Sequence, residues 1–434
     1  MIHRPSIVAG IVATLLAAQP SSGVAAPILL PGSPMTQLPS GSPAQGKVEE
    51  GLKALNADDL PAAEAAFTEA ARVDPGLPAA YIGLAEVAGR QDKPAQVEYW
   101  LQKALSADPK GALTQRIWGR YKFQRGQFGD AETAFKKAVA LDPKSADAHL
   151  NLAENYLLGL KKPKAAEEAY RAAIALDPGS PQGHLGLGAA LAAQGRPDLA
   201  LAEYEAAAKL APTDPKFTHA LARFYASQGK FDLALAALQK TITLAPDFLA
   251  AHIDRGDLYL AKNDLEQAAA AYRAGAKAVK NPAIAYFKLG TVLEGQQRWA
   301  EAEQAYLDAV KSDPMMYGAY NNLAFMAAVR KERLDQALVW AKKAVELAPK
   351  VTTLQDTLGW VYRARGELGP AQALEKAVAD NPGKASFRYH LGVVYAEQGK
   401  KKEAVAALQK ALELDKNFYN AADARKRLQQ LAMK

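Results

Sequence analysis

Residues 283–316 read AIAYFKLGTVLEGQQRWAEAEQAYLDAVKSDPMM. Tyr286, Leu289, Gly290 and Leu293 fall at i, i+3, i+4 and i+7, the stripe of an amphipathic helix. A second stripe, Ala302, Tyr306 and Ala309, follows a polar break, and Pro314 closes the unit. The stretch predicts two helices joined by a turn. The proline ends the second helix and pre-sets the start of the next.

The same text recurs on both sides. The tiny residue after the apolar one falls at Gly51, Ala85, Gly119, Ala153, Gly188, Ala222, Gly256, Gly290, Ala324, Gly359 and Gly392, in steps of 33 to 35 residues. About twelve residues later comes another small residue, usually Ala (Ala63, Ala131, Ala166, Ala200, Ala234, Ala268, Ala302, Ala337, Ala404). Four further on is a bulky group, among them Phe67, Leu101, Phe135, Tyr170, Tyr272, Tyr306 and Leu408. A fixed period of this size marks a repeat array, in which no unit buries its apolar face alone and stacking completes the core. Small residues let two helices approach closely, and the bulky group fills the space between units.

The pattern resembles the tetratricopeptide repeat (TPR): an aromatic, Leu-Gly, Tyr, then Ala, Phe, Ala and Pro at fixed spacing across 34 residues. It covers roughly residues 44–418, about eleven repeats, and residues 283–316 match it closely. The resemblance implies an all-α, right-handed superhelical solenoid of helix-turn-helix units. Departures are local. The third repeat has Trp118 where Leu is usual, and the fourth has an extra residue near Leu160. The seventh has Gly275-Ala276 and a late Pro282, and the tenth is short near Gly369-Pro370. The eleventh has Lys416 where Pro is expected. Residues 419–434 continue as a polar amphipathic helix, the text expected of a solvent-facing cap.

Composition limits the function. The chain has 434 residues, with Lys+Arg 53 against Asp+Glu 46, a mild +7 that leaves no concentrated basic footprint for nucleic acid. Cys is absent, which excludes disulfides, thiolate nucleophiles, Cys-ligated metals and a lipidated N-terminal Cys. His3 and Arg4, the apolar run Ile7 to Ala18, and the small-residue stretch Gly23-Val24-Ala25 have the order of a secretory signal peptide, cleaved after Ala25. No other apolar run is long enough to span a bilayer, so no stable membrane span is expected after cleavage. Residues 26–43, rich in Pro, Gly and Ser, read as an extended flexible tether. A periplasmic location follows as the expectation.

Motifs for chemistry fail. His149, His184, His219 and His252 recur about one period apart, too far for shared coordination of one ion. Three of them hold the fourth repeat position, where the family places a packing aromatic. Gly186-Leu187-Gly188 imitates a dinucleotide loop but lies inside a repeat helix with no strand before it. No HExxH, Walker loop or GxSxG occurs. No catalytic residue, cofactor or metal is expected.

The resemblance further implies that the first helices line a concave groove. At the usual groove positions stand Arg116, Arg120, Asn151 and Glu154, then Lys216, His219 and Arg223. Phe287, Lys288, Asn321, Asn322, Phe325, Asp356, Trp360, Arg363, Tyr389 and His390 follow. Asn both donates and accepts, and aromatic and Arg groups are common anchors. The partner-binding residues expected are Arg116, Arg120, Asn151, Arg223, Phe287, Asn321, Asn322, Phe325, Trp360, Arg363 and Tyr389. The carboxylate clamp of one TPR subclass is rejected, because Gln182 and Gly186 stand where cations are needed. The function expected is a non-catalytic scaffold for a protein or peptide partner. The alternative is an accessory subunit of an exopolysaccharide or envelope assembly machine, with polysaccharide contact.

Overall fold

The computed structural model of the chain describes residues 43–367 and 371–433. The expected signal peptide, the tether up to residue 42, and the Gly369-Pro370 irregularity lie outside the described residues. Eleven helix pairs run from Pro43–Asn56 and Leu60–Val73 to Ala385–Glu397 and Lys401–Leu414, and a last helix, Ala421–Met433, follows them. The all-α helix-turn-helix architecture is the one the period predicted. Two compact units divide at residues 237 and 238, within the second helix of the sixth repeat, Phe231–Leu244.

In both units the grid has the same physical basis. The Ala after each turn, at 63, 131, 166 and 200 in the first unit and 268, 302, 337 and 404 in the second, is fully buried. The bulky residue four positions on closes over the tiny residue of its own first helix. A methyl group placed on Gly119 would lie 2.5 Å from the Phe135 ring, and one on Gly290 would lie 2.6 Å from Tyr306. Phe67 is gripped from both sides, by Gly51 of its own repeat and Gly83 of the next.

The turns within pairs share one device. Each of the eleven repeats places a residue there in the left-handed region: Gly126, Gly195, Gly229, Gly366 and Gly399, and elsewhere Asp58, Asp92, Lys161, Asn263, Gln297 and Lys331, the ninth repeat adding Arg333 as a second. Glycine does this without steric cost and the others do not.

The departures have local solutions. The extra residue of the fourth repeat is absorbed as a π-helical turn, Asn155–Gly159, at the end of the helix Ala146–Glu154. In the ninth repeat the added residue lengthens the first helix to 14 residues, Tyr317–Arg330. Gly275 makes room for His252, whose Cβ would lie 2.7 Å from a methyl group there. The last helix packs Ala421, Ala424, Leu428 and Leu431 against Tyr389, Val393, Leu408 and Phe418. The apolar face of the eleventh repeat is thereby covered.

Candidate partner-binding surface

In the first unit, Arg116 and Arg120 stand one turn apart on the helix Ala112–Gln124, and Asn151 and Glu154 on the next first helix. Arg116 is only 7% exposed, and its Nη1 donates to Asp147 at 2.8 Å. Arg120 has a buried Nε with no hydrogen-bond partner. Burial holds its guanidinium below the usual range, against the pull of Glu154. Burial likewise raises the Glu154 carboxyl, with Arg120 opposing. Asn151 is buried, and its Oδ1 accepts nothing. Arg223 lies on the helix Pro215–Ser227, near enough to act on the Tyr204 hydroxyl, which burial pushes up to about 12.

In the second unit, Phe287 and Lys288 share the helix Ala283–Gly295. Lys288 Nζ donates to Asp257 at 2.8 Å, and the Phe287 ring lies 6.0 Å from that of Tyr306. Asn322 Nδ2 donates to the Tyr306 hydroxyl at 3.0 Å, which in turn donates to Glu294 at 2.7 Å. Burial raises the Glu294 carboxyl. Asn321 Nδ2 donates to Asn322 Oδ1 at 3.3 Å, while its own Oδ1 is buried without a partner.

Phe325, Trp360, Arg363 and Tyr389 come together around His390. The His390 ring lies 4.2 Å from Trp360, 5.5 Å from Tyr389 and 6.4 Å from Phe325. Its Nδ1 is 2.8 and 2.9 Å from the two carboxylate oxygens of Asp356, and both residues are buried. Arg363 stacks 4.3 Å above Trp360 and grips Glu397 bidentately, its shortest bond 2.6 Å. Tyr389 is buried and donates to Asp423 of the last helix at 2.7 Å. That bond and, above all, burial push its hydroxyl up to about 12.

Much of the expected surface is thus engaged inside the chain. Arg116, Arg363 and Tyr389 hold one repeat to the next, or to the last helix. The acceptors Asn151 Oδ1 and Asn321 Oδ1 and the donor Arg120 Nε remain unsatisfied. Buried polar groups are nearly always paired, so each such atom needs an explanation.

The position-four histidines also have a structural task. His149 and His252 donate through Nε2 to the carbonyls of Pro143 and Pro246 at 3.1 and 2.8 Å. Tyr81, Gln115 and Arg388 make the same bond to Pro75, Pro109 and Pro382. Each side chain reaches back six residues and ties its helix to the preceding loop. Sequence reasoning assigned these positions to packing and missed this bond; the signal was a polar side chain six residues after each repeat proline. His184 instead meets Glu203 at 2.7 Å. Among the described residues no three metal-ligating side chains converge. Gly186 and Gly188 lie against Tyr170 and Tyr204, a packing use of the Gly-Leu-Gly text.

The tetratricopeptide repeat family matches residues 48–112, 118–181, 155–215, 219–281, 287–351 and 357–417, and the chain belongs to it. Proteins of this family bind protein or peptide partners, and the repeat is in general a non-catalytic interaction module. The chain is 35% identical over 97 residues, 21% of its length, to protein O-mannosyl-transferase Tmtc1 of Drosophila melanogaster. It spans only 11% of that relative. The Cut9–Hcn1 hetero-tetramer of the APC/C is 16% identical with a TM-score of 0.43, covering 91% of this chain and 98% of that one. A tetratricopeptide repeat protein from Parabacteroides merdae is 20% identical with a TM-score of 0.47, covering 58% and 100%. YrrB, described as a TPR protein with an unusual peptide-binding site, is 23% identical with a TM-score of 0.34, covering 43% and 95%. Among the described residues no helix is long and apolar enough to cross a membrane.

Proposed function

We propose that the protein is a periplasmic, non-catalytic scaffold that holds an extended segment of a partner protein along its first helices. The carrying observation is the pair of buried, unpartnered acceptors, Asn151 Oδ1 and Asn321 Oδ1, at groove positions in the two units. An extended peptide presents backbone N–H groups that satisfy such acceptors, and its carbonyls or acidic side chains suit Arg120 Nε. A buried polar atom left unpaired costs roughly 1–3 kcal/mol. Satisfying it on binding recovers part of that cost as affinity. In the second unit, Phe325 stands one turn on from Asn321, and Phe287 and Trp360 stand on the neighbouring first helices; each is half-buried and suits an apolar anchor. The export reading rests on the order of residues 1–25.

The test is capture from an envelope fraction by the chain starting at Ala26, against its Asn151→Ala/Asn321→Ala variant. Neither substitution removes a hydrogen bond between repeats, so equal helicity is expected. A protein retained by the parent chain and lost with the variant carries the proposal. Equal capture by both, or none, overturns it. Export is read separately, by fractionating cells that express the full chain. A periplasmic product beginning at Ala26 is expected, and a cytoplasmic product retaining residues 1–25 sinks that part.

A further inference from the structure

The net charge of the chain is unevenly placed. Residues 43–237 carry 23 Lys+Arg against 24 Asp+Glu, and residues 238–434 carry 29 against 22. Within the second stretch, residues 384–434 alone carry 11 against 5. Nearly the whole excess of the chain therefore sits on the eleventh repeat and the last helix.

These cations are not explained by internal pairing. Arg363 of the preceding repeat occupies Glu397, Lys410 pairs with Glu413, and Arg427 with Asp423. Lys400, Lys401, Lys402, Lys416 and Lys426 are exposed and enter no ion pair among the described residues, although Lys400 lies 5.2 Å over the Tyr395 ring and Lys426 is near enough to act on Asp423. Helix stability does not explain them either. Lys400, Lys401 and Lys402 stand at the N-terminus of the helix Lys401–Leu414, where positive charge is unfavourable. The same first turn also carries Glu403, one carboxylate against three cations. Second helices of other repeats open with Asp130, Asp198, Asp232, Glu266 or Asp335 in their first turn.

A second, independent feature coincides with the first. Tyr419 is 80% exposed and Met433 86%, the two most exposed large apolar side chains among the described residues. Both belong to the basic segment. Near them in the chain, Lys416, Asn417, Gln429 and Gln430 are polar and exposed.

We infer that the C-terminal end of the protein docks on a bilayer surface carrying anionic phospholipid headgroups. Clustered Lys and Arg are drawn to such a surface at about 1 kcal/mol each, or roughly fivefold in affinity per cation. Tyr favours the headgroup level, and a side chain such as that of Met enters the acyl boundary. A fluid interface accepts two isolated apolar side chains without shape complementarity, whereas a protein partner requires a packed apolar centre. A soluble acidic polymer would engage the cations and leave Tyr419 and Met433 in water. The proposal is independent of the first-helix surface, and it orients the scaffold with one end on the membrane.

The experiment is co-sedimentation with vesicles of phosphatidylcholine alone and of phosphatidylcholine mixed with phosphatidylglycerol, at low and high salt. The chain starting at Ala26 is used, because residues 7–18 would themselves enter a bilayer and the described helices begin only at Pro43. Binding to the mixed vesicles alone, weakening steeply with salt, is expected. The variant Lys400→Gln/Lys401→Gln/Lys402→Gln/Lys426→Gln should lose it at least a hundredfold. Tyr419→Ser/Met433→Ser should lose about tenfold while keeping the same salt dependence. The control Lys161→Gln/Lys164→Gln, on the fourth repeat, should bind like the parent. These substitutions lie on exposed side chains, and circular dichroism checks that each variant is folded. Absence of binding to the mixed vesicles overturns the proposal, as does equal binding by the four-lysine variant. Binding to heparin or to an acidic protein without binding to vesicles replaces it with a polyanion site.

Discussion

At Gly290 the packing leaves no room for a methyl group, because the Tyr306 ring would lie 2.6 Å from it and that ring is fixed by bonds to Glu294 and Asn322. Gly188 looks identical in the repeat text, yet its nearest ring atom would be 3.1 Å away, on the half-buried Tyr204. Alanine gains about 1 kcal/mol over glycine inside a helix. Overpacking a rigid site costs about 1–3 kcal/mol. Gly290→Ala should therefore destabilise by up to about 2 kcal/mol, and Gly188→Ala should be near neutral. Urea unfolding of the two variants measures this, and equal costs would refute the rigid-ring account. The turns offer the opposite case. Gln297 is exposed at φ +61°, a conformation that costs a non-glycine residue about 1 kcal/mol. Gln297→Gly should raise stability by about 0.5–1 kcal/mol, since the turn keeps its bond to the Glu294 carbonyl. A loss of stability in the same titration would show that the Gln297 side chain itself supports the turn.

Between elements, the second helices are tied to the next repeat by ion pairs along the turns. Glu98 meets Lys122 at 2.9 Å, Glu132 meets Lys162 at 3.4 Å, and Glu167 meets Arg196 at 2.8 Å. Arg333 with Glu303 and Arg365 with Asp335 repeat the arrangement in the second unit. The carboxyls of Glu98, Glu132 and Glu167 lie below their ordinary 4.5, chiefly through hydrogen bonds from Lys122, Lys136 and Gln194 respectively. A native pKa below the unfolded one means the stabilisation is complete above about 4.5. It is lost as pH falls through the lowered native values. These groups are partly solvated, so each contributes within about 1 kcal/mol. Thermal melts should drop between pH 5 and pH 3, and Glu167→Gln should drop less over that interval. An unchanged acid dependence in that variant would remove the pair from the account. These contacts mark the limit of what the text shows. The helices were legible because period, prolines and tiny residues act within one repeat. The engagement of the expected binding residues was not, because their partners lie about one period away: Arg116 with Asp147, Asp356 with His390, Arg363 with Glu397, Tyr389 with Asp423. Opposite charges spaced 31 to 34 residues apart on the grid were the available signal. The extra residue of the fourth repeat was visible, but its resolution as a π turn depended on Asn155, which is fully buried and donates to the Phe128 carbonyl at 3.1 Å.

For the molecule as a whole, stability in a repeat array is a sum over units and nearest-neighbour interfaces. The second unit shows why its end needs a cap. Its buried clusters bridge adjacent repeats, one joining Tyr306, Leu323, Trp340 and Val361, the last joining Tyr389, Leu408 and Phe418 to Ala421 and Ala424. Removing residues 419–434 would expose that last cluster and leave the Tyr389 hydroxyl without Asp423. Two half-buried leucines, Leu428 and Leu431, and two buried alanines carry roughly 3 kcal/mol of apolar burial. Where local opening governs amide exchange, that corresponds to about a hundredfold acceleration. The acceleration should be confined to the eleventh repeat and its neighbour, residues 352–364 and 385–414. The eighth repeat, residues 283–312, should exchange as before, because no interface of its own has changed. Hydrogen exchange by mass spectrometry on the truncated chain reads this directly. A uniform acceleration from the eighth repeat onward would mean that the unit opens as one body. Nearest-neighbour coupling would then be the wrong description of its stability.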